Sequence, residues 1–254
     1  MIRVIMSGCG GKMGKVISSL VAEEKEMEIV AGIDVSDCVE DAYPVFKSLE
    51  ECSTDADVVI DFSNAKGTDA LLDACVSKKL PCVLCTTGLS AEQLSHVQEA
   101  SKKTAILRSG NMSVGINLLL KLLHQAAPVL AEAGFDVEIV EKHHNQKVDA
   151  PSGTALMLAD AVNEAAGGDY EYVYDRSARR ERRPEKEIGI SAVRGGTIVG
   201  DHDVIFAGTD EVITISHRAY SRNVFAKGAV QAAKFLAGKE AGLYDMSDVI
   251  DAEA

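Results

Sequence analysis

From Ile2 to Gly110 the sequence alternates short apolar runs with helix-patterned segments, and no other feature restricts the fold so strongly. The runs are IRVIMSG, MEIVAGID, DVVIDFS, PCVLCTTG and TAILRSG; the helical segments start near Lys12, Ala65 and Ala91. Strands joined through helices run parallel, and the helices cover both faces of the sheet. Ligands on such sheets bind beyond the carboxyl ends of the strands. Each run here ends in small or polar residues: Ser7-Gly8, Asp34, Asp61-Phe62-Ser63, Thr86-Thr87-Gly88 and Ser109-Gly110-Asn111. That row of ends predicts one long groove.

The first strand-to-helix junction reads SGCGGKMG and holds Gly8, Gly10, Gly11 and Gly14. Glycine there lets a pyrophosphate reach backbone N–H groups at the helix N-terminus, where a Cβ would block it. Asp34 ends the next strand about twenty residues on, the place where an acid accepts hydrogen bonds from an adenosine ribose. A glycine cluster alone also suits a tight turn with no ligand. Its position after a strand, before a helix and upstream of an acid favours a dinucleotide.

Composition narrows the classes further. The 254 residues suffice for two modest domains, and the net charge of −13 argues against a general nucleic-acid binder. The N-terminus breaks into glycines too early for a signal peptide, and no later apolar run is expected to approach membrane-spanning length, so a cytoplasmic protein is expected. The six cysteines, Cys9, Cys38, Cys52, Cys75, Cys82 and Cys85, are then expected to be reduced thiols. Cys82 and Cys85 sit three apart in a strand and so face opposite ways; with no second pair they read as packing residues, not a zinc site.

After a helix around Ser113 to Ala133 the pattern changes to FDVEIVEKHH, EIGISAVRGG, TIVGDHDVIFAG and DEVITISHRAY, which predicts an open mixed or antiparallel sheet in a second domain. A final helix near Asn223 to Ala237 is expected to return to the first domain. The boundaries are 1–112 with 222–254, and 113–221. The charge run RSARRERRPEKE at 176–187 reads as a solvated loop.

The densest chemistry lies in EKHHNQKVDAPSGTA, from Glu141 to Ala155. Ser152 or Thr154 can cap the helix that follows, and the N–H groups and dipole at its start favour an anion such as a carboxylate. Lys147 adds a cation, and His143 and His144 belong to the residue type that titrates nearest neutrality. A metal reading of the two histidines is disfavoured, because strand neighbours point to opposite faces and no cysteine cluster is near. His96 and His124, alone on helices, read as satisfied, partly buried rings.

These segments closely resemble the 4-hydroxy-tetrahydrodipicolinate reductase family, also called dihydrodipicolinate reductase. SGCGGKMG, DFS, CTTG, GNMSVGIN, EKHHNQKVDAPSGTA, RGGTIVGDHDVIFAG, SRNVFAKGAV and GLYDMSDVI carry the match in order and spacing over essentially the whole chain. The resemblance implies an α/β protein: a Rossmann-type dinucleotide-binding domain plus an α+β domain with an open mixed sheet that binds substrate and builds a homotetramer. It implies reduction of a small cyclic dicarboxylate in lysine and diaminopimelate biosynthesis, with NADH or NADPH and no metal. His143 would be the acid/base residue and Lys147 a proton donor, with His144, Gly153 and Thr154 holding substrate; the helix start at Ser152, Gly153 and Thr154 is itself expected to hold the substrate carboxylates. Cofactor contacts would come from Gly8, Cys9, Gly10, Gly11, Lys12 and Met13, from Asp34, from Cys85, Thr86 and Thr87, and from Ser109, Gly110, Asn111 and Met112, several through backbone. Arg222 is a weaker candidate for the closed site.

The chain departs from several members of the family at Val35, where they carry an arginine, and at Met112, where an aromatic is common. Asp34 without a neighbouring cation suits NADH, while Lys12 can swing toward the extra phosphate of NADPH, so use of both with a tilt toward NADH is expected. Two rival readings are a related two-domain dehydrogenase of the aspartate or homoserine type and a nicotinamide-sensing regulator. The first leaves DAPSGT without a job, and the second lacks a DNA-binding helix pair or a basic face.

Overall fold

The structure, a computed structural model, describes residues 1–36 and 42–253. Cys38 lies outside the described residues. In chain order come β1 (Ile2–Ser7), α1 (Lys12–Glu23), β2 (Met27–Ile33), β3 (Val45–Phe46), β4 (Val58–Asp61), α2 (Thr68–Lys78), β5 (Cys82–Leu84), α3 (Ala91–Ser101), β6 (Ala105–Arg108) and α4 (Val114–Glu132). They are followed by β7 (Asp136–His143), α5 (Gly153–Ala165), β8 (Glu171–Val173), β9 (Glu187–Arg194), β10 (Gly200–Ala207), β11 (Val212–Ala219), α6 (Asn223–Leu236), β12 (Gly242–Tyr244) and α7 (Met246–Glu253). The chain divides into two compact units, Met1–Val114 with Asn223–Ala254, and Gly115–Arg222.

The first unit holds a parallel sheet in the order β12-β6-β5-β4-β1-β2-β3. Its central strands are buried on both faces, hence the near-continuous apolar runs. Alternation divides their side chains between two cores. Val4, Met6, Ile60, Val83 and Leu107 pack with α1 and α6, while Ile5, Val59, Leu84 and Ile106 pack with α2 and α3. Cys82 and Cys85 fall into opposite cores, and the cysteines at 9, 52, 75, 82 and 85 are buried free thiols. Gly228 brings α6 close: a Cβ there would sit 1.7 Å from the Met112 carbonyl oxygen. The order reverses direction between β1 and β4, and the strand ends flanking that point form a crevice.

The second unit holds a mixed sheet in the order β11-β10-β7-β9-β8. Strand β10 runs antiparallel to β7 and β11, whereas β7, β9 and β8 are parallel. Leu119 and Leu123 of α4 and Leu158 and Val162 of α5 cover one face, on Val137, Ile139, Ile190, Val204 and Phe206. Helix α4 overturns the expectation that no apolar run approaches spanning length. It runs for 19 residues, with a mean hydropathy of 1.4 over an 18-residue window, and is by length and composition long and apolar enough to cross a membrane. One stripe, including Leu119, Leu123 and Ala127, is buried in the core of this unit, as in an amphipathic helix lying on a sheet.

The arginine-rich stretch is a largely exposed loop, as expected, but three of its arginines are half-buried in ion pairs. Arg176 and Arg179 bind the buried Glu187, and Arg183 reaches Asp136 at 2.7 Å, Glu138 at 3.1 Å and the Val137 carbonyl at 2.9 Å. These arginines tie the stretch to the starts of β7 and β9.

Candidate active site

The glycine-rich turn is shaped by close backbone approach. Gly8 has a φ of +81°, and a Cβ on it would lie 2.7 Å from the Phe62 carbonyl oxygen; at Gly14 a Cβ would lie 2.2 Å from the Gly8 oxygen. Both positions therefore require glycine. Gly11 stands at the N-cap of α1 and has no side chain to cap the first-turn N–H groups, so those donors and the helix dipole suit a phosphate. Asp34 braces the turn by accepting from the Gly10 N–H at 2.9 Å and from the Ser36 N–H at 2.9 Å. Partial burial works to raise its pKa. The Ser36 and Gly10 bonds and the Lys47 charge outweigh that and hold the carboxylate below its ordinary value.

A cleft of about 570 Å³ opens beside this turn, lined among others by Gly8, Asp34, Val35, Lys47, Asn64 and Lys66. Lys47 lies on the Asp34 side, its Nζ donating to the Val35 carbonyl at 3.1 Å. A volume of this order suits a small organic ligand. The glycines, the uncapped helix start and the acid at the cleft together fit a dinucleotide.

The other strand ends divide between backbone and side-chain roles. Thr86 is buried and donates to Asp61 Oδ2 at 2.5 Å, whereas Thr87 is exposed. Cys85 is buried; burial and the nearby Asp61 charge push its thiol well above the ordinary value, so its side chain has no reactive thiolate. The 109–112 loop is braced internally by Ser109 Oγ donating to the Asn111 carbonyl at 3.0 Å and by Ser113 N donating to Asn111 Oδ1 at 2.8 Å. Met112 is 4% exposed, its side chain packed in the core of the first unit. Lys12 is exposed at the start of α1.

In the second unit the sheet register assembles the chemistry. Alternation on β7 sends Val137, Ile139, Glu141 and His143 to the buried side, so the row turns from apolar to polar at its end. Register places Arg194 of β9 beside His143, and His202 of β10 beside Glu141. Glu141 is fully buried. Its Oε1 accepts from Arg194 Nη2 at 2.7 Å and from the Ser152 N–H at 2.9 Å, and its Oε2 accepts from Arg194 Nη1 at 2.7 Å and bonds His143 Nδ1 at 2.6 Å. Burial works to raise the Glu141 pKa; Arg194, His143 and the Ser152 N–H outweigh it and keep it below the ordinary value.

Ser152 caps α5, its Oγ accepting from Ala155 N at 3.1 Å and bonding His202 Nε2 at 3.0 Å. At 2% exposure its hydroxyl is turned inward, which makes it a brace for the helix start more than a ligand itself. Burial and the neighbouring His143 push the His202 pKa down to about 4, so that ring is neutral near pH 7. The His143 and His202 rings meet edge to face at 5.2 Å. Lys147 pairs with Asp149 at 2.9 Å, and Arg194 Nη2 also holds the Asp149 carbonyl at 2.6 Å. Gly153 is exposed at the first turn of α5, and His144 and Thr154 are half-buried.

Thus His143, Lys147, Ser152 and the α5 start gather at one end of the second sheet, while His144 follows the end of β7. Arg222 is exposed. His96 is partly buried and paired with Asp69 and Asp73, but His124 is exposed, contrary to expectation. Sequence reasoning missed Glu141 as a site residue, although its spacing of two from His143 put both on one strand face. It also missed Arg194 and His202, whose positions follow from register, and Lys47. No cluster of three or more metal-ligating side chains occurs among the described residues.

The family model described as dihydrodipicolinate reductase, N-terminus, matches residues 2–112, and the one described as dihydrodipicolinate reductase, C-terminus, matches residues 115–250. A 4-hydroxy-tetrahydrodipicolinate reductase of Caldanaerobacter subterraneus subsp. tengcongensis is 56% identical over 250 residues, covering 98% of each chain. One from Clostridium tetani is 48% identical over 251 residues, covering 99% of this chain and 98% of its own. Among solved structures, the dipicolinate-bound dihydrodipicolinate reductase of Paenisporosarcina sp. TG-14 matches with a TM-score of 0.81 and 28% identity, over 96% of this chain and 97% of that one. On two family models that together span nearly its whole length, and on full-length relatives at about half identity, this chain belongs to the dihydrodipicolinate reductase family.

Proposed function

We propose that the chain reduces 4-hydroxy-tetrahydrodipicolinate to tetrahydrodipicolinate and water at the expense of NAD(P)H, in lysine and diaminopimelate biosynthesis. Its family membership makes it a nicotinamide-dependent oxidoreductase acting on a small molecule. Within that frame, Gly8, Cys9, Gly10, Gly11, Lys12 and Met13 hold the cofactor pyrophosphate, largely through backbone N–H groups. Asp34 takes the adenosine ribose, and backbone of Cys85, Thr86 and Thr87 and of Ser109, Gly110, Asn111 and Met112 completes the cofactor site. When bound, the nicotinamide supplies a hydride.

The residues of the second unit answer the charge that this reduction creates. Hydride addition to a C=C conjugated with C=N leaves negative charge that must be met as it forms. His143 and Lys147 are the acid/base pair, giving a proton to the substrate and assisting loss of the 4-hydroxyl as water. Gly153 and Thr154 at the α5 start, with His144, hold the carboxylates, and Ser152 braces that start. The observation that carries this reading is the polar end of the β7 row: a hydrogen-bonded imidazole, a lysine and a helix N-terminus at one edge of one sheet. The dipicolinate in the solved relative supports a planar dicarboxylate as the ligand class.

For the cofactor, Asp34 favours NADH, and the cation that offsets its repulsion of a 2′-phosphate is Lys47 more than Lys12, since Lys47 lines the cleft beside Asp34. Dual use with a tilt toward NADH follows. A homotetramer built through the mixed sheet fits the apolar side chains exposed there, among them Val193 and Val212, and a cytoplasmic site fits a biosynthetic reductase. The test is the fall in NADH absorbance with purified protein and freshly generated heterocycle. NADH consumption that depends on the heterocycle is the expected result; consumption with aspartate semialdehyde instead favours the dehydrogenase alternative.

A further inference from the structure

We propose that Glu141 is a positioning residue which, held by Arg194, fixes His143 in the tautomer that carries its proton on Nδ1 and leaves Nε2 to exchange protons with the substrate. This rests on the acid/base role proposed for His143 and adds to it which nitrogen works, and why.

The argument begins from donors and acceptors. A carboxylate offers four lone-pair positions, and all four of Glu141 are taken: by two guanidinium N–H groups of Arg194, by the Ser152 N–H and by His143 Nδ1. Three of these partners can only donate, and the bidentate Arg194 guanidinium holds the carboxyl below its ordinary pKa, so the group is ionised and accepts only. The His143 nitrogen 2.6 Å away must then be N–H in both the neutral and the charged ring. Only Nε2 is left to gain and lose a proton. When it gives that proton to the substrate, the ring returns to neutral with its Nδ1–H still bonded to Glu141.

Arg194 has a second effect. Beside a lone buried carboxylate, the transferable proton could move to the carboxylate itself; the bidentate guanidinium lowers the Glu141 pKa and removes that competitor. The remaining surroundings agree. His202, the other ring in contact, is neutral and faces Ser152. Lys147 is paired with Asp149, and Lys142, on the opposite face of β7, is paired with Asp203. On the Nε2 side stands Gly200, where a Cβ would lie 3.1 Å from that nitrogen, so a larger residue would crowd the working edge of the ring.

Two measurements test this. Nitrogen NMR of the intact protein with 15N-labelled histidine, His143 being assigned by its loss in His143→Asn, is expected to show a protonated Nδ1 and a bare Nε2 once the ring is neutral. The reverse tautomer overturns the proposal, and this readout needs no substitution at Glu141. In kinetics, Glu141→Gln keeps the shape but removes the charge. Turnover is expected to fall about 10- to 100-fold, with the Michaelis constant for substrate within about threefold, and no further fall is expected when Glu141→Gln is added to His143→Asn. Full turnover in Glu141→Gln, or an undiminished extra loss in the His143→Asn background, overturns it. Full turnover in His143→Asn alone removes His143 from the mechanism and the catalytic role of Glu141 with it, whereas an inactive His143→Asn beside an active Glu141→Gln leaves the role of His143 standing and overturns only this inference.

Discussion

The two units solve recognition in opposite ways. The proposed cofactor side of the first is built mainly from backbone: glycines at 8 and 14 that admit no Cβ, an uncapped helix start, and strand ends whose side chains bond inward, as Thr86 does to Asp61. The polar end of the second is built from side chains, with a buried carboxylate whose every acceptor position is filled. A backbone site tolerates exchange of exposed side chains and shifts by small steps. A buried ionic array does not, because removing one member leaves the others unpaired in a poorly solvated place.

That contrast sets the scale of the expected effects. The largest belong to the proposed acid/base groups: His143→Gln and Lys147→Ala should each lower turnover by about two orders of magnitude or more, measured by NADH consumption. Near-normal turnover in both would remove the chemistry from the second unit. Thr154→Val should next raise the Michaelis constant for substrate. Loss of one charge-assisted bond costs about 1.5 to 3 kcal/mol, and calorimetric titration with pyridine-2,6-dicarboxylate in the presence of NADH measures it; unchanged affinity moves the carboxylate site elsewhere.

The buried array also makes the second unit acid-sensitive. His202 titrates at about 4 in the fold against an ordinary 6.5, so between these values the unfolded chain binds the extra proton and stability falls as the pH drops. Glu141, with its pKa depressed, adds a loss in the same direction only as the pH falls below the ordinary carboxylate range and through its folded value. Thermal melts from pH 7 to 4 should show this slope, and His202→Gln should flatten its upper part. An unchanged slope in that variant would place the acid sensitivity elsewhere.

How much of this was legible in the sequence follows the same division. Alternation and the SGCGGKMG turn disclose the first unit, because parallel strands and a phosphate turn leave local patterns. The short β3, β8 and β12 escaped, since two or three residues carry no period. In the second unit EKHH and DAPSGT were visible as a dense polar segment. Arg194 and His202, however, join Glu141 through strand register, which lies between distant stretches and not within any one of them. The tie made by Arg183 is hidden for the same reason: its partners Asp136 and Glu138 are far away in sequence.

The smallest effects should be those of side chains at the cleft beside Asp34. Lys47→Ala should weaken NADPH relative to NADH, and Val35→Arg should do the reverse, each by about 1 kcal/mol at a solvated site. Steady-state kinetics with both cofactors decide this. A preference of the unmodified protein for NADPH beyond about tenfold, roughly 1.4 kcal/mol, would contradict the reading of Asp34 and Val35.

The division of labour itself is tested most directly by calorimetric titration of NADH into the doubly substituted His143→Gln, Lys147→Ala protein. The expected result is a dissociation constant for NADH within about twofold of the unmodified protein, about 0.4 kcal/mol, in a protein whose turnover has collapsed. Loss of NADH affinity in step with turnover would contradict it, and would place these two residues in cofactor binding instead of proton transfer.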